Sequence, residues 1–247
     1  MSKSVVIIPS RLAAKRLPNK PLLKINNISM IMRVYEKALR SEVGEVYVAT
    51  CDKKIASEVN KNGGKFIMTN SAHTNGTERI YEASQKIDLR DIDYIINLQG
   101  DEPMINSNDI KNLNNISKKK HLNISTLAFN VNNLRDYKNK NIVKVLTKKK
   151  ITVNFTQEAL EFTRQINPQN KKNIYQHYGI YFYKLSALKK FVGLSRTKKE
   201  IREKLEQVRA MENKMKIHVL LARTFSRGID TKDDLLKYEK ILNKRHL

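Results

Sequence analysis

The stretch VVIIPSRLAAKRLPNKPL, residues 5–22, joins an apolar run directly to a basic loop. Residues 5–8 are all β-branched, which is typical of a strand buried on both faces of a parallel sheet. In an open parallel sheet, ligands bind in the crevice at the carboxyl ends of the strands. The stretch therefore predicts a central strand that carries a cationic loop to a ligand site.

Strand-length apolar runs alternate with helical segments along the first hundred residues. Apolar residues at positions 31, 34, 35, 38 and 39 have the spacing of one helix face. This alternation predicts βαβ units and a parallel sheet. The predicted strands are 5–8, 46–49, 66–68 and 94–98, and the predicted helices are 31–39, 53–62 and a segment capped by Thr77 that ends near Ile87.

The pattern changes in the second half, where strands dominate. Thr231 and Asp234 there have the spacing of a capping box, which starts a final helix. We therefore predict one α/β domain over residues 1–247 with a mostly parallel mixed central sheet. A substrate-specific or dimerising subregion is expected near 120–215. The predicted strands of this half are 124–131, 143–146, 151–155, 174–183 and 217–221, and its other helices are 186–192 and 199–211.

Composition excludes several classes of protein. The 247 residues are 40% hydrophobic, which is enough for a core, and the single cysteine, Cys51, excludes an internal disulfide. No Cys/His cluster has zinc-ligand spacing, and no run of about 18 apolar residues is present to span a bilayer. We expect a cytoplasmic protein. The net charge of +24 is dispersed and accompanies no nucleic-acid-binding motif, which favours a basic surface over nucleic-acid binding.

The loop of residues 7–22 concentrates positive charge. Arg11, Arg16 and Lys20 lie close together in sequence, among three prolines that restrict the backbone. Guanidinium groups bind phosphate oxygens bidentately and lysine adds a point charge, so the loop suits a polyphosphate. It lacks the glycines of a P-loop or a GxGxxG turn. A merely solvated basic loop is the alternative that charge alone allows.

Two acidic loops follow predicted strands. In NLQGDEPMI, residues 97–105, Asp101 and Glu102 come at the strand end. In RGIDTKDDL, residues 227–235, Asp230 precedes the last helix. A few carboxylate oxygens are typical of Mg²⁺ that is shared with substrate phosphates, so Asp101 and Asp230 are the predicted metal ligands. Taken without the other loops, Asp230 is more typical of a turn or capping residue.

These loops belong to a series of seven motifs that covers nearly the whole chain. The motifs are IIPSRLAAKRLPNKPL (7–22), HTNGTER (73–79), NLQGDEPMI (97–105), NIVKV (141–145), QHYGIYFY (176–183), KLEQVRAMEN (204–213) and RGIDTKDDL (227–235). In this order they resemble the motifs of the 3-deoxy-manno-octulosonate cytidylyltransferases, the CMP-Kdo synthetases. Each motif alone is weak, whereas the ordered set is specific.

The resemblance implies a Rossmann-like nucleotide-diphospho-sugar transferase fold, usually as a homodimer. It implies transfer of CMP from CTP to 3-deoxy-D-manno-octulosonate (Kdo) for lipopolysaccharide synthesis, with Mg²⁺ as cofactor and pyrophosphate as the leaving group. By the same resemblance, Arg11, Lys20, Asp101 and Asp230 are catalytic. The nucleotide-binding residues are expected to be Arg11, Arg16, Lys20, Glu78, Arg79 and Gln99.

The acceptor side is carried over from two motifs and a midway segment. Alternation along a strand places His177 and Tyr181 on one face. Arg209 is expected to anchor its helix or a carboxylate. A structural histidine and a core tyrosine are the alternatives for His177 and Tyr181. The expected sugar-binding residues are Arg164, His177, Tyr181, Glu206 and Gln207.

The chain departs from the family pattern mainly on this side. EFTRQINP, residues 161–168, stands where the family has Tyr-Phe-Ser-Arg followed closely by Ile-Pro, and only its Arg164 keeps the guanidinium. Asn75 replaces a usual Ser, Cys51 a common acid, and Lys198 and Lys199 a more apolar pair. An 8-amino analogue of Kdo, or a sialic or pseudaminic acid, is therefore an alternative acceptor. A nucleic-acid-binding protein without catalysis is the remote alternative.

Overall fold

The computed structural model describes residues 3–13, 17–131, 133–166, 172–225 and 228–244. Arg16, one of the predicted phosphate ligands, lies outside these residues, as do Asn167 and Pro168. The strands in the described part of the chain are β1 (Lys3–Ser10), β2 (Lys24–Ile25), β3 (Ile28–Ser29), β4 (Gly44–Thr50), β5 (Phe66–Met68), β6 (Ile92–Leu98), β7 (Ile124–Asn130), β8 (Lys144–Thr147), β9 (Gln157–Thr163), β10 (Ile174–Lys184) and β11 (His218–Leu221).

One mixed sheet organises the described residues. Nine of their strands join in the order β5-β4-β1-β6-β10-β7-β11-β9-β8, and β2 and β3 form a separate hairpin. The pairs β4–β5, β1–β4, β1–β6 and β7–β11 are parallel. β10 runs antiparallel to both β6 and β7, and β9 runs antiparallel to β8 and β11. The prediction of a mostly parallel mixed sheet is confirmed, because only β9 and β10 run against the other strands of the described sheet.

Helices cover both faces of this sheet. Residues of α1, α2 and α4 pack with Val6 and Ile8 of β1, whereas residues of α3, α6 and α8 pack with Val5 and Ile7. Burial of β1 on both faces accounts for its continuous β-branched run. The described helices are α1 (Met30–Leu39), α2 (Lys53–Lys61), α3 (Gly76–Ser84), α4 (Ser107–Lys119), α5 (Leu134–Lys138), α6 (Leu185–Val192), α7 (Lys198–Glu203), α8 (Gln207–Glu212) and α9 (Lys232–Lys244).

The predicted strand at 151–155 is wrong. The backbone N–H of Thr152 donates to the carbonyl of Phe155, and the Asn154 N–H to the Thr152 hydroxyl, so this segment is a turn. Side-chain hydrogen bonds of this kind compete with the sheet for backbone groups. The strand of this region is β9, which begins two residues after Phe155.

The predicted helix at 199–211 is two helices. Lys204, between α7 and α8, has a left-handed backbone (φ 54°) that ends α7. The start of α3 also differs from the prediction, because Asn75 and not Thr77 is its cap. The Asn75 side chain accepts from the Glu78 N–H at 2.9 Å, whereas Thr77 is buried.

Two further features concern the ends of helices. Thr231 and Asp234 bond each other reciprocally at the start of α9, so the predicted capping box is confirmed. In the part of the chain that the structure describes, no helix combines the length and the apolar character needed to cross a membrane.

Candidate active site

A cavity of about 590 Å³ opens where β1 and β6 end and α3 begins. This is the edge of the sheet at which ligands bind in open α/β folds. Gly100 permits the close approach of the two strand ends, since a Cβ there would lie 3.1 Å from the Pro9 carbonyl oxygen. The polar and charged residues lining the cavity are Ser10, Arg11, Lys20, His73, Thr74, Asn75, Arg79, Gln99, Asp101, Arg196, Glu200, Lys204, Glu206 and Asp230.

Lys20 joins the two predicted metal ligands. Its Nζ donates to Asp101 Oδ2 at 2.7 Å and to Asp230 Oδ1 at 3.1 Å, and the Lys20 side chain is 13% exposed. Burial lowers the pKa of Lys20, but the charges of the two aspartates and their hydrogen bonds outweigh burial and raise it. Carboxylates 81 and 210 residues away from Lys20 in sequence therefore converge on one positive charge.

The donor set at this point suits a hard divalent cation. Asp101 and Asp230 offer carboxylate oxygens within reach of a single cationic atom. Among the described residues no group of three or more His, Cys, Asp or Glu side chains could hold a metal alone. Two carboxylates with open positions for phosphate oxygens and water match the binding habit of Mg²⁺.

Glu102, beside Asp101, turns into the protein. It is 8% exposed, and its Oε2 has no hydrogen-bond partner among the described residues. Burial raises the pKa of Glu102 well above its ordinary value, and the charges of Asp101 and Asp230 raise it further. Because the carboxylate form is disfavoured, Glu102 adds a buried acid behind the two aspartates and not a third exposed ligand.

The residues predicted on the nucleotide side have different positions. Gln99 lines the cavity and donates to Asn97 at 3.2 Å. Arg79 also lines it, although it is 3% exposed and donates to Thr69 and to the Asn70 carbonyl. The cavity lining does not include Glu78, which accepts from the Asn75 side chain and the Thr74 N–H at the start of α3.

Glu206 is the one residue predicted to bind the acceptor sugar that lines the cavity among the described residues. Its Oε2 accepts from the Thr77 hydroxyl at 2.5 Å. Burial raises the pKa of Glu206, and the bond from Thr77 and the charge of Arg209 oppose this only in part. Glu206 thus ties α8 to α3 beside the cavity.

The other predicted sugar ligands lie behind the cavity surface. The rings of His177 and Tyr181 are 5.3 Å apart on one face of β10, as strand alternation predicts. His177 Nε2 lies 3.1 Å from the Thr126 hydroxyl, and burial lowers the pKa of His177 to about 3. Tyr181 is 8% exposed, and its hydroxyl has no partner among the described residues.

Arg164 and Gln207 are not brought to the cavity surface either. The Arg164 guanidinium donates to the carbonyl oxygens of Glu203 at 3.0 Å and Lys140 at 3.2 Å. Gln207 is 8% exposed in the first turn of α8. Arg164 therefore supports the residue just before Lys204, and Gln207 is buried directly after Glu206.

Sequence reasoning missed Arg196, Lys204, His73 and Ser10, all of which line the cavity. The buried Ser10 hydroxyl lacks a partner in the described part of the chain. The motif HTNGTER could have identified His73 as a site residue, and the position of Ser10 next to Arg11 could have identified Ser10. Arg196 had no signal of its own, because it lies in none of the seven motifs.

A sequence model of the family described as cytidylyltransferase matches residues 5–217. A 3-deoxy-manno-octulosonate cytidylyltransferase of Thermodesulfovibrio yellowstonii is 42% identical over 250 residues, which cover 97% of this chain and 98% of the relative. The chain belongs to the 3-deoxy-manno-octulosonate cytidylyltransferase family. A relative with the same description from Rhodopseudomonas palustris strain TIE-1 is 40% identical and covers 97% of both chains.

Solved structures agree with membership of the 3-deoxy-manno-octulosonate cytidylyltransferase family. A CMP:2-keto-3-deoxy-manno-octonic acid synthetase complexed with CTP matches with a TM-score of 0.89 and 35% identity, over 99% of this chain and 100% of that one. A 4-diphosphocytidyl-2C-methyl-D-erythritol synthase from Anaerococcus prevotii has a TM-score of 0.64 at 10% identity and covers 98% of this chain and 99% of its own. The second likeness shows the fold alone. The predicted nucleotide-diphospho-sugar transferase fold is confirmed.

Proposed function

We propose that this chain transfers CMP from CTP to Kdo and releases pyrophosphate. The observation that carries the proposal is the convergence of Lys20, Asp101 and Asp230 at one end of a cavity that also holds Arg11. Phosphoryl-type transfer requires little covalent chemistry from a protein beyond positioning and neutralisation of charge. Full-length relatives at about 40% identity support the same reaction.

The basic loop would bind the triphosphate. Arg11 lines the cavity and donates no hydrogen bond to any described residue, so its guanidinium is available to phosphate oxygens. We assign Arg11 to the α-phosphate, and Arg16 and Lys20 to the leaving pyrophosphate. Lys20 now neutralises the two aspartates, so it would exchange those contacts for phosphate when substrate binds.

Asp101 and Asp230 are the residues that would hold Mg²⁺. When bound there, the ion would supply positive charge to the phosphates and lower the pKa of the attacking hydroxyl. The carboxylates of Asp101 and Asp230 line that end of the cavity. The buried side chain of Glu102 lies behind them. The 2-hydroxyl oxygen of the sugar forms the new bond to the α-phosphorus, and the bond to pyrophosphate breaks in line with it.

Other residues of the site would contact the nucleoside or the acceptor sugar. Gln99 and Arg79 would contact the nucleoside from the cavity surface, and Glu78 would fix the start of α3 beneath it. Glu206 would accept hydrogen bonds from sugar hydroxyls. His177, Tyr181 and Gln207 do not line the cavity, so their contacts with the sugar would need a change in its surface, and Arg164 would act on the sugar through the segment that carries Glu206.

The setting of the reaction is part of the same proposal. A CTP-dependent enzyme of sugar-acid activation is expected in the cytoplasm, as a homodimer, with residues near 120–215 providing the sugar-binding and dimerising subregion. The alternative acceptors are an 8-amino analogue of Kdo, a sialic acid and a pseudaminic acid. They follow from the departures around Arg164.

Pyrophosphate release with a panel of acceptors tests the proposal. Purified protein with CTP and Mg²⁺ is expected to release pyrophosphate with Kdo and to release none when the acceptor is omitted. Release only with another acid would overturn the acceptor assignment and leave the CTP site intact. No release with any acid would overturn the transferase proposal.

A further inference from the structure

Arg196 and Lys204 form a second cationic surface of the cavity, here called the Arg196–Lys204 pair. We propose that this pair binds the carboxylate of the acceptor sugar acid. The inference rests on the function proposed above and adds the residues that select for a negatively charged acceptor. It gives that role to neither Arg164 nor the phosphate-binding loop.

The pair is placed by the two ends of α7. Arg196 precedes Thr197, the helix cap, and Lys204 follows the last residue of the helix. Both side chains line the cavity that holds Arg11 and Lys20. A six-residue helix thus presents one cation from each end to the same space.

Arg196 is held in place by a buried acid that already has a cation of its own. Its Nε donates to Glu200 Oε1 at 3.3 Å. Arg209 donates to both Glu200 oxygens, at 2.7 and 2.8 Å, and is 1% exposed. Two guanidinium groups share the Glu200 carboxylate, and of the two only Arg196 is accessible, because its side chain is 47% exposed whereas that of Arg209 is 1% exposed.

The rest of the Arg196 guanidinium has donors that bind no acceptor in the part of the chain that the structure describes. These donors are its terminal nitrogens. A planar guanidinium fork fits a carboxylate in two-point geometry, so the anchored Arg196 is pre-organised for such a group.

Lys204 adds a second charge next to the acceptor residue Glu206. Its left-handed backbone, φ 54° and ψ 48°, is unfavourable for a residue with a Cβ. Lys204 has no ion pair or hydrogen bond with any other described side chain. In the sequence, the cation at this turn lies two residues before the Glu206 carboxylate, which can accept hydrogen bonds from sugar hydroxyls. A sugar acid requires both a cation for its carboxylate and an acceptor for its hydroxyls.

Arg164 has a different role in this arrangement. Its guanidinium donates to the carbonyl of Glu203, the residue just before Lys204, and to that of Lys140. It does not line the cavity. Arg164 is therefore a positioning residue that braces the turn carrying Lys204 and Glu206.

Steady-state kinetics with Kdo and with its C1 methyl ester tests the inference. The ester removes the negative charge and keeps the hydroxyls. Arg196→Gln and Lys204→Gln together are expected to raise the KM for Kdo roughly 10- to 100-fold, the scale of a hydrogen bond to a charged group, and to abolish the preference for acid over ester. The KM for CTP stays within about twofold because the phosphate loop is unchanged.

Two controls isolate the carboxylate. Lys198→Gln removes the same charge from an exposed residue of α7 outside the cavity lining and should leave both KM values unchanged. Arg164→Ala should raise the KM of acid and ester by the same factor, as a positioning residue would. Lys204→Gln alone, at an exposed site, gives the same readout if the Arg196 variant unfolds.

The outcomes separate the two proposals. If the native protein releases no pyrophosphate with Kdo, the proposed function fails and the inference falls with it. If the native protein releases pyrophosphate with Kdo and the double variant still prefers acid to ester, the inference alone is overturned. Loss of that preference in Arg164→Ala, with its retention in the double variant, would also overturn it. A rise in the KM for CTP instead of Kdo would reassign the pair to phosphate and overturn it.

Discussion

The residues at the two ends of the cavity are positioned by different kinds of local structure. At the phosphate end, which comprises Arg11, Lys20, Asp101 and Asp230, residues far apart in sequence meet on the cavity surface. At the acceptor wall, residues 196–206, surface cations lie at the two ends of the short helix α7, which a break separates from α8, while the predicted ligand His177 does not line the cavity. Strand ends in a parallel sheet fix the first arrangement, whereas a helix break determines the second.

The largest expected effect comes from removing a carboxylate at the phosphate end. Asp101→Asn should lower the rate of pyrophosphate release by at least about 100-fold, because electrostatic contacts with the reacting phosphates dominate such transfers. Asp233→Asn, an exposed acid in the first turn of α9, is the matched control and should keep the native rate. Full turnover by Asp101→Asn would remove Asp101 from the phosphate end.

The buried ion pair under the acceptor wall gives the next effect. Glu200→Gln leaves the Arg209 charge buried without its partner, which should cost about 3 kcal/mol of the free energy of unfolding. Urea titration measures the change. Glu203→Gln removes the same charge from the more exposed pair with Arg202 and should cost less than about 0.5 kcal/mol. Equal costs for the two variants would show that the wall does not depend on Glu200.

The pH dependence of stability tests whether His177 belongs to the core. The pKa of His177 is about 3 in the folded protein and about 6.5 when unfolded. Between these values only the unfolded state binds the proton, so stability falls as the pH falls. The contribution lost between pH 7 and pH 5 is about 2 kcal/mol.

Comparison with His177→Gln isolates this contribution. The difference in unfolding free energy between pH 7 and pH 5 should be smaller in His177→Gln by about 2 kcal/mol. His121→Gln, at an exposed turn, should leave the difference unchanged. An unchanged difference in His177→Gln would mean that His177 is accessible to protons, and hence to an acceptor.

The smallest effect concerns the start of α3, which joins the two ends of the cavity. Asn75→Ala should lower the free energy of unfolding by about 1 kcal/mol through loss of the cap, and Asn75→Ser should lower it by only a few tenths. Thermal melts compare the two variants. Equal melting temperatures for alanine and serine would show that the Asn75 side chain does not cap the helix.

The fold was predictable where apolar periodicity was strong. The β-branched run of β1 indicated its burial on both faces. The predicted stripe of α1 is buried at residues 31, 34, 35 and 38, whereas Leu39 is 49% exposed. α4 was not predicted, because its buried face mixes Ile110 and Leu113 with polar residues such as Asp109. Asp109 accepts from the N–H groups of residues 223 and 224, a tertiary contact that local sequence does not encode.

The phosphate end of the site could be predicted from the sequence more completely than the acceptor wall. The motifs identified the residues of the phosphate end, and the sheet explains why Asp101 and Lys20 meet there. The acceptor wall was not predictable in detail, because the left-handed turn at Lys204 divides a segment with the pattern of one helix. Lys204 lies at that turn, and Arg196 lies at the other end of α7.

Phosphorus NMR of the complete reaction tests the central claim most directly. With CTP, Mg²⁺ and Kdo, we expect the α-phosphorus signal of CTP to be replaced by one phosphodiester signal, with an equal amount of pyrophosphate. Formation of free CMP with pyrophosphate would indicate hydrolysis, and formation of CDP with inorganic phosphate would place the reaction at the γ-phosphorus. Either result, or an unchanged spectrum, would contradict CMP transfer to the sugar acid.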